Sequence, residues 1–168
     1  MAMREKIYLY TDGASSGNPG PGGWGAVLKC GALRREMSGG FILTTNNRME
    51  LLAVIKGLEA ILWDRAEVEV WSDSQYVVRA VTEGWLDRWS AKAWKKVKNP
   101  DLWQRFLPLY RKHDVTFHWL RGHAGHPENE RCDKLATEAR AQAGLPHDVW
   151  YEENGALTLD NNQSNNIL

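Results

Sequence analysis

One change in the spacing of apolar residues, near residue 46, most constrains the fold of this chain. Before it, the segments "KIYLYTD", "GWGAVLKC" and "ALRREMSGGF" are separated by short connections that contain glycine, which predicts an antiparallel meander of three strands. From Asn47 to Trp63, leucine, isoleucine and valine recur at helical spacing, and "AEVEVWSD" then has the character of a strand. Because a helical crossover returns the next strand parallel to the first, the pattern predicts a mixed sheet of the α/β class.

The rest of the chain extends this sheet and covers it. "SQYVVRAVTEGW" and "DLWQRFLPLYRK" predict helices, "VTFHW" predicts a last strand, and a final helix should begin at Pro127 and end at Gly144. We therefore expect an α/β fold with a mixed five-stranded sheet, in which three antiparallel strands are followed by two strands parallel to the first, flanked by helices.

Chain length and punctuation predict a single domain over residues 1–145, because 168 residues is the size of one ordinary domain and neither a repeat nor a linker interrupts it. Residues 146–168 are predicted to form a C-terminal tail. Its polar end, "NNQSNNIL", has too little apolar material to fold and is expected to be disordered.

Charge and cysteine content exclude several classes of protein. The 21 basic residues equal the 21 acidic ones, so a nucleic-acid or membrane partner would have to be bound by a local patch. The chain has neither a signal-peptide core nor an apolar run of membrane-spanning length, and we expect a cytoplasmic protein without membrane association. Cys30 and Cys132 are too few and too far apart for a disulfide framework, which favours reduced thiols.

Four acidic residues are predicted to meet at one edge of the sheet. Asp12 ends the first strand and Asp73 ends the fourth, and parallel neighbours present their carboxyl ends at the same edge. Glu50 flanks the apolar face of the helix after "TTNN", and Asp133 flanks a stripe of small residues on the last helix. Carboxylates that converge in this way raise one another's pKa unless a cation neutralises them. All-oxygen ligands favour Mg²⁺ or Mn²⁺ over zinc.

Taken singly, these acids also have ordinary structural interpretations. Asp73 could cap the helix that follows it, Glu50 could complete a capping box with Asn47, and Asp12 could stabilise a turn. The convergence of all the acids is what favours a metal site.

The stretch "RGHAGHPENERCDKLA" suggests half of a zinc site, because His123, His126, Cys132 and Asp133 lie within it. No CxxC pair is present to complete such a site, and Cys30 lies in a predicted strand. We therefore expect Cys132 to be a buried apolar thiol and His126 to brace the turn before the helix.

The glycine-rich loop "GASSGNPGPGGWG" is not a phosphate-binding P-loop, because it lacks a Gly-Lys-Ser/Thr ending and a following helix. It predicts instead a tight turn that lets a substrate approach Asp12.

A local basic patch is predicted in "GWLDRWSAKAWKKVKNPDLWQR". Trp85, Trp89, Lys92 and Lys96 would share one helical face, and residues 85–112 contain eight basic residues against two aspartates. Two tryptophans one turn apart can also be a core stripe, but a stripe continued by lysines favours contact with nucleic acid. For the other tryptophans in regular elements, core packing is the better interpretation: Trp63, Trp71 and Trp119.

Five segments in collinear order resemble ribonuclease H of the bacterial type 1 kind: "YTDGASSGNPGPGGWGAVL", "TTNNRMEL", "SDSQYV", "KNPDLWQR" and "GHAGHPENERCDKLA". The resemblance spans roughly residues 6–145 and places all four acids where that family has its metal ligands. It implies an endonuclease that hydrolyses the RNA strand of RNA/DNA hybrids, in replication and repair, leaving a 3′-hydroxyl and a 5′-phosphate. It also implies a cytoplasmic monomer.

The resemblance further implies a role for each site residue. Two Mg²⁺ ions, with Mn²⁺ as the alternative, would be bridged by Asp12; Glu50 and Asp73 would complete the ion that activates water, and Asp133 would help hold the other. Glu50, Gln75 and the Gly13 backbone would sense 2′-hydroxyl groups. Several further residues would contact the hybrid, the last two as a basic handle on the DNA strand: Asn18, Thr45, Asn46, Asn47, Asn99, Trp85 and Trp89. His123 would shuttle a proton or help release product, the alternative being an ordinary exposed histidine.

Two departures from the family pattern concern substrate binding. Leu43 stands where members often have a basic residue, next to Thr45, and only four residues separate Trp94 from Asn99, where related enzymes have more. We therefore expect looser binding of the hybrid with intact chemistry.

Three other classes remain as alternatives. An integrase-like DNA nuclease of the same fold would lack "GHAGHPENE" and the tryptophans of the basic patch. A hybrid-binding module without catalysis would have lost at least one of the four acids, and a structural zinc protein would need further cysteine ligands.

Overall fold

A mixed sheet organises the protein, whose computed structural model describes residues 4–155. The strand order is β3-β2-β1-β4-β5. β2 pairs antiparallel with both β1 and β3, whereas β4 is parallel to both β1 and β5. The predicted mixed five-stranded sheet is thus confirmed. Its strands are β1 (Ile7–Ser15), β2 (Gly20–Cys30), β3 (Leu33–Thr44), β4 (Glu67–Ser72) and β5 (Asp114–Trp119).

The helices that connect and cover the strands are α1 (Asn46–Glu59), α2 (Gln75–Thr82), α3 (Trp85–Ala91), α4 (Pro100–Lys112) and α5 (Pro127–Arg140). None of the helices in the described residues combines the length and the apolarity needed to cross a membrane.

Three helix boundaries differ from those expected. α1 ends at Glu59, so Leu62 is 91% exposed and is not part of the buried face. The helix predicted over residues 74–85 ends at Thr82, because Gly84 takes a left-handed backbone with φ of 71° before α3 begins at Trp85. α5 ends at Arg140 rather than at Gly144.

The sheet is covered on both faces. Ile7 and Leu9 of β1 belong to the main core, which also contains the apolar residues of α1. On the opposite face, Tyr10 packs with Cys132 and Leu135 of α5. Since successive residues of a strand point to opposite faces, β1 is enclosed between α1 and α5. Both helices reach the end of β1 that carries Asp12.

Glycines of β2 set the distance between the sheet and α5. A Cβ atom on Gly25 would lie 2.5 Å from the carbonyl oxygen of Cys132, and one on Gly23 would overlap that of Ala136. The backbone of α5 therefore rests directly on β2, which places Asp133 beside the edge of the sheet.

Residues 146–155, which we call the C-terminal segment, pack against the domain instead of forming a free tail. The amide of Ile42 donates a hydrogen bond to the carbonyl of Pro146 at 2.9 Å. Asp148 and Tyr151 are buried, and residues 149–155 are helical. The boundary expected at residue 145 therefore falls within the folded part of the chain, and the "NNQSNNIL" end lies outside the described residues.

Candidate active site

Three carboxylates meet beside the carboxyl end of β4. Asp73 directly follows β4, Glu50 is the fifth residue of α1, and Asp12 lies within β1, which continues to Ser15. The expectation that Asp12 ends its strand is therefore wrong. One oxygen each from Asp12, Glu50 and Asp73 lies within 4.8 Å of the others. Asp12 and Glu50 are both only 5% exposed. The Oε2 atom of Glu50 and the Oδ1 atom of Asp73 are buried and accept no hydrogen bond from the described residues. A buried carboxylate oxygen without a donor is costly, so this cluster fits a bound cation.

Neither Glu50 nor Asp73 is used as a helix cap, because neighbouring side chains cap both helices. The side chain of Thr45 caps α1 by accepting from the amide of Arg48 at 3.3 Å, and Ser74 caps α2 by accepting from the amide of Val77, also at 3.3 Å. The capping interpretations of Glu50 and Asp73 are therefore wrong.

Gly13 explains how α1 comes close enough to β1. A Cβ atom at this position would overlap the backbone of Met49 and Glu50. Its amide donates to Oδ1 of Asp12 at 2.9 Å and helps orient that carboxylate.

Burial and mutual repulsion shift the proton affinities of all three groups. Desolvation, and then the charge of Asp73, raise the pKa of Asp12 to about 8. Desolvation, followed by the charges of Asp12 and Asp73, raises the pKa of Glu50 well above its usual range. The pKa of Asp73 is also raised, again first by burial. Groups shifted in this direction are those that a divalent cation would return to the ionised form.

Asp133 and His123 flank this cluster. Asp133 lies on α5 outside the tight group of three, and its charge raises the pKa of both Asp12 and Asp73. His123 is exposed on the loop after β5, and its charge lowers the pKa of Asp73. A Cβ atom on Gly122 would lie 2.6 Å from Oδ2 of Asp73. The histidine loop therefore borders the carboxylates.

Polar side chains expected at the substrate form a connected group at the start of α1. Asn18 accepts a hydrogen bond from the amide of Asn46 at 3.1 Å, and Oδ1 of Asn46 accepts one from the amide of Ser15 at 3.4 Å. Asn47 is exposed in the same turn of the helix. These contacts join the loop after β1 to the start of α1.

Gln75 and Asn99 lie at the starts of two other helices. Gln75 is the exposed first residue of α2, two positions after Asp73. Asn99 precedes α4 with a left-handed backbone, φ of 56°, and its amide donates to the hydroxyl of Tyr76 at 3.1 Å.

The two tryptophans of the basic patch lie on α3, but the lysines do not. Trp85 and Trp89 are partly buried against the core, with ring centroids 5.9 Å apart. α3 ends at Ala91, so the single helical face predicted to include Lys92 and Lys96 is wrong. Residues 92–96 form turns in which Lys92, Lys95 and Lys96 are exposed.

Two residues near the site were not predicted to have a role there. Trp119 was expected in the core but is 47% exposed, and its indole N–H donates to the carbonyl of Asp73 at 3.0 Å. Its position at a strand end gave no sequence signal for that contact. Arg48 is 2% exposed. A signal existed for it, because Arg48 shares the helical spacing of Leu51 and Ile55 and so had to be buried.

Comparison with known proteins gives concordant matches. The family model described as RNase H matches residues 4–141. Ribonuclease H of Syntrophus aciditrophicus (strain SB) is 55% identical over 153 residues, which cover 88% of each chain. Ribonuclease H of Nitratidesulfovibrio vulgaris (strain DSM 19637 / Miyazaki F) is 54% identical over 158 residues, 91% of this chain and 100% of that protein.

Solved structures match as well. LC9-RNase H1, described as a type 1 RNase H with the type 2 active-site motif, is 32% identical with a TM-score of 0.75, over 92% of this chain and 82% of that one. LC11-RNase H1, solved in complex with an RNA/DNA hybrid, is 30% identical with a TM-score of 0.57, over 80% of this chain and 96% of that one.

Proposed function

The chain belongs to the ribonuclease H family, and from that premise we propose that its carboxylate cluster hydrolyses the RNA strand of RNA/DNA hybrids with divalent metal ions. The enzyme is an endoribonuclease, as are the relatives that carry the family name. Hydrolysis leaves a 3′-hydroxyl and a 5′-phosphate and removes RNA from hybrids during replication and repair.

One observation carries this proposal: three buried acids present oxygens within 4.8 Å of one another, and two further oxygens of the same acids have no hydrogen-bond donor among the described residues. A site that only bound nucleic acid would not need such a cluster, because negative charge repels phosphate. The cluster is suited to Mg²⁺, or to Mn²⁺ as the alternative, because hard cations prefer carboxylate oxygens.

Four side chains would hold the metal ions. Asp12 would bridge two ions, Glu50 and Asp73 would complete one of them, and Asp133 would help hold the second from α5. When bound, such ions lower the pKa of water and stabilise the leaving oxygen of an in-line displacement. The Gly13 amide, which donates to Asp12, orients the bridging carboxylate.

Recognition of RNA would use groups beside the acids. Gln75, Glu50 and the Gly13 backbone would contact the 2′-hydroxyl groups of the RNA strand. The polar group at the start of α1 and the start of α4 would contact the two backbones, and α3 would grip the DNA strand. The residues assigned to these contacts are Asn18, Thr45, Asn46, Asn47, Asn99, Trp85 and Trp89.

His123 is assigned a role in proton transfer or product release. It is exposed, and its charge acts on Asp73, so a proton could pass between the site and solvent along this side. Activity of His123→Ala equal to that of the parent would make it an ordinary exposed histidine.

The enzyme would act as a cytoplasmic monomer. Its affinity for the hybrid would be reduced by Leu43, which puts no cation beside Thr45, and by the short segment between Trp94 and Asn99.

Cleavage of three labelled duplexes tests the function: RNA/DNA hybrid, double-stranded RNA and double-stranded DNA, each with Mg²⁺ and with EDTA. We expect internal cuts in the RNA of the hybrid alone, and only with Mg²⁺. Asp12→Asn should lose nearly all activity, whereas Asp114→Asn, at an exposed aspartate that begins β5, should retain it. Cleavage of the DNA duplex would favour an integrase-like nuclease, and full activity of Asp12→Asn would contradict the assigned site.

A further inference from the structure

The C-terminal segment encloses one buried arginine near the candidate active site. Arg48 is 2% exposed, and its Nε donates to Oδ2 of Asp148 at 2.7 Å while its Nη2 donates to Oδ1 at 3.0 Å. The Thr44 hydroxyl donates to the same Oδ2 at 2.7 Å. The rings of Trp150 and Tyr151 lie 5.0 and 6.0 Å from the guanidinium carbon. The segment therefore fixes Arg48 by charge, by hydrogen bonds and by ring contacts.

Asn99 forms a hydrogen bond with the other side of the same guanidinium. Nη1 of Arg48 lies 3.3 Å from Oδ1 of Asn99 and 2.8 Å from Oδ1 of Asp101. The amide nitrogen of Asn99 donates to Tyr76, so both ends of the Asn99 amide are engaged. The orientation of Asn99 consequently depends on where Arg48 lies.

Arg48 is also tied to the start of α1, where its backbone amide donates to the side chain of Thr45. With two aspartates around it, the guanidinium is neutralised and buried, so it cannot act as a phosphate site of its own. Its contribution to the site is rigidity.

We propose that Asp148 is a positioning residue for the hybrid: through Arg48, it holds Asn99 and Thr45 in the orientation that meets the nucleic-acid backbone. This inference rests on the proposed function, which assigns those two side chains to the substrate. The C-terminal segment lies beyond residues 4–141, the span that matches the family model. Residues outside that span therefore contribute to the affinity for the hybrid.

Asp148→Asn tests the proposal, because it removes the charge that holds Arg48 and preserves the size of the side chain. We expect the KM for the hybrid to rise about fivefold or more and kcat to stay within about twofold, since the metal-binding acids do not move. Thr44→Val, which removes one donor to Asp148, should raise KM in the same direction by a smaller factor.

A double variant separates positioning from general damage. If Asp148 acts in part through Asn99, then Asp148→Asn should raise KM by a smaller factor in the Asn99→Ala background than in the parent, because coupled residues are not additive. The matched control is Ile61→Val, at a core residue that is 5% exposed and follows the far end of α1. It lowers stability without touching Arg48 and should leave KM unchanged.

Three outcomes would overturn the inference. These are an unchanged KM in Asp148→Asn and Thr44→Val, an equal rise of KM in Ile61→Val, and fully additive effects with Asn99→Ala. If Asp148→Asn fails to fold by circular dichroism, the result for Thr44→Val decides. A parent protein that does not cleave the hybrid refutes the proposed function, whereas a cleaving parent with unchanged KM in the variants refutes this inference alone.

Discussion

Ionisation of Asp12 lowers the stability of the folded protein when no metal is bound. Its pKa is raised from 3.8 to about 8, so the folded state favours the protonated carboxyl more than the unfolded state does. By linkage, this group lowers the stability of the metal-free protein progressively as the pH rises from about 4 to about 8.

Asp12→Asn should therefore stabilise the metal-free protein while abolishing catalysis. In EDTA, its unfolding midpoint should exceed that of the parent, and the gap should widen between pH 5 and pH 8. Each pKa unit corresponds to about 1.4 kcal/mol, and each kcal/mol to about 3 °C in a domain of this size, so a gap of several degrees is expected at pH 8. Thermal unfolding followed by circular dichroism measures it.

The control for this experiment is Asp114→Asn, which removes an exposed carboxylate outside the cluster and should not raise the unfolding midpoint at pH 8 as Asp12→Asn does. Mg²⁺ should raise the midpoint of the parent at pH 8 by mass action and should have little effect on Asp12→Asn. A gap that is the same at pH 5 and pH 8 would contradict the charge repulsion inferred for the cluster.

Trp119 helps orient Asp73 through the hydrogen bond from its indole N–H to the Asp73 carbonyl. Trp119→Phe removes the indole donor to the Asp73 carbonyl and retains an aromatic ring, so kcat should fall about three- to tenfold with KM nearly unchanged, because a metal ligand is then less firmly oriented. The matched control is Trp71→Phe, because the indole nitrogen of Trp71 has no partner among the described residues. Steady-state kinetics of the two variants should differ, and equal kcat values would refute the role.

At the scale of elements, the contact between β2 and α5 determines where Asp133 lies. Gly25→Ala would place a methyl group 2.5 Å from the Cys132 carbonyl, which a helix backbone cannot accommodate without moving. Overpacking of this kind costs about 1–3 kcal/mol, and the displaced helix should also raise the Mg²⁺ concentration needed for half-maximal activity.

Gly144→Ala is the comparison for that prediction. Gly144 has a left-handed φ of 69° and open space around it, so alanine there costs about 1–2 kcal/mol of backbone strain but moves no helix. Chemical denaturation and Mg²⁺ titration of both variants test the difference. An unchanged Mg²⁺ requirement in Gly25→Ala would show that α5 does not position a metal ligand.

Strand order and the meeting of Asp12, Glu50 and Asp73 could be predicted at this scale, because each depends on local periodicity and on one helical crossover that returns a strand parallel to β1. Helix ends could not be predicted as well. The break at Gly84 depends on a left-handed backbone, and α1 ends before Leu62 although the apolar spacing continues to that residue.

For the whole molecule, the balance of 21 basic and 21 acidic residues means that attraction to the hybrid must come from a local patch. The exposed lysines of residues 92–98 are the candidates. Lys95→Gln/Lys96→Gln should raise KM and flatten its dependence on salt, because a protein that neutralises fewer phosphates releases fewer counterions when it binds.

The matched control is Arg111→Gln/Lys112→Gln, which removes the same charge at the exposed end of α4. This pair should leave the salt dependence of KM, measured between about 50 and 200 mM, as it is in the parent. Equal slopes for both double variants would place the nucleic-acid contact elsewhere on the surface.

The part of the molecule that sequence could not predict is held by contacts between distant positions. Asp148 pairs with Arg48 across 100 residues, and no periodicity within residues 146–155 reports that partner. The polar residues at the end of the chain predicted a tail. The predicted tail began at residue 146, which belongs to the folded C-terminal segment.

The hydrogen bond from the Ile42 amide to the Pro146 carbonyl also affects the tendency of the protein to aggregate at high concentration. β3 is an edge strand, and an unpaired edge can recruit a second chain and begin aggregation. At the apolar end of β3, the Ile42 amide is already occupied, and proline has no N–H with which to extend a ladder. The charges of Arg34, Arg35 and Glu36 protect the other end. A chain shortened before Pro146 should therefore lose colloidal stability, independently of any change in catalysis.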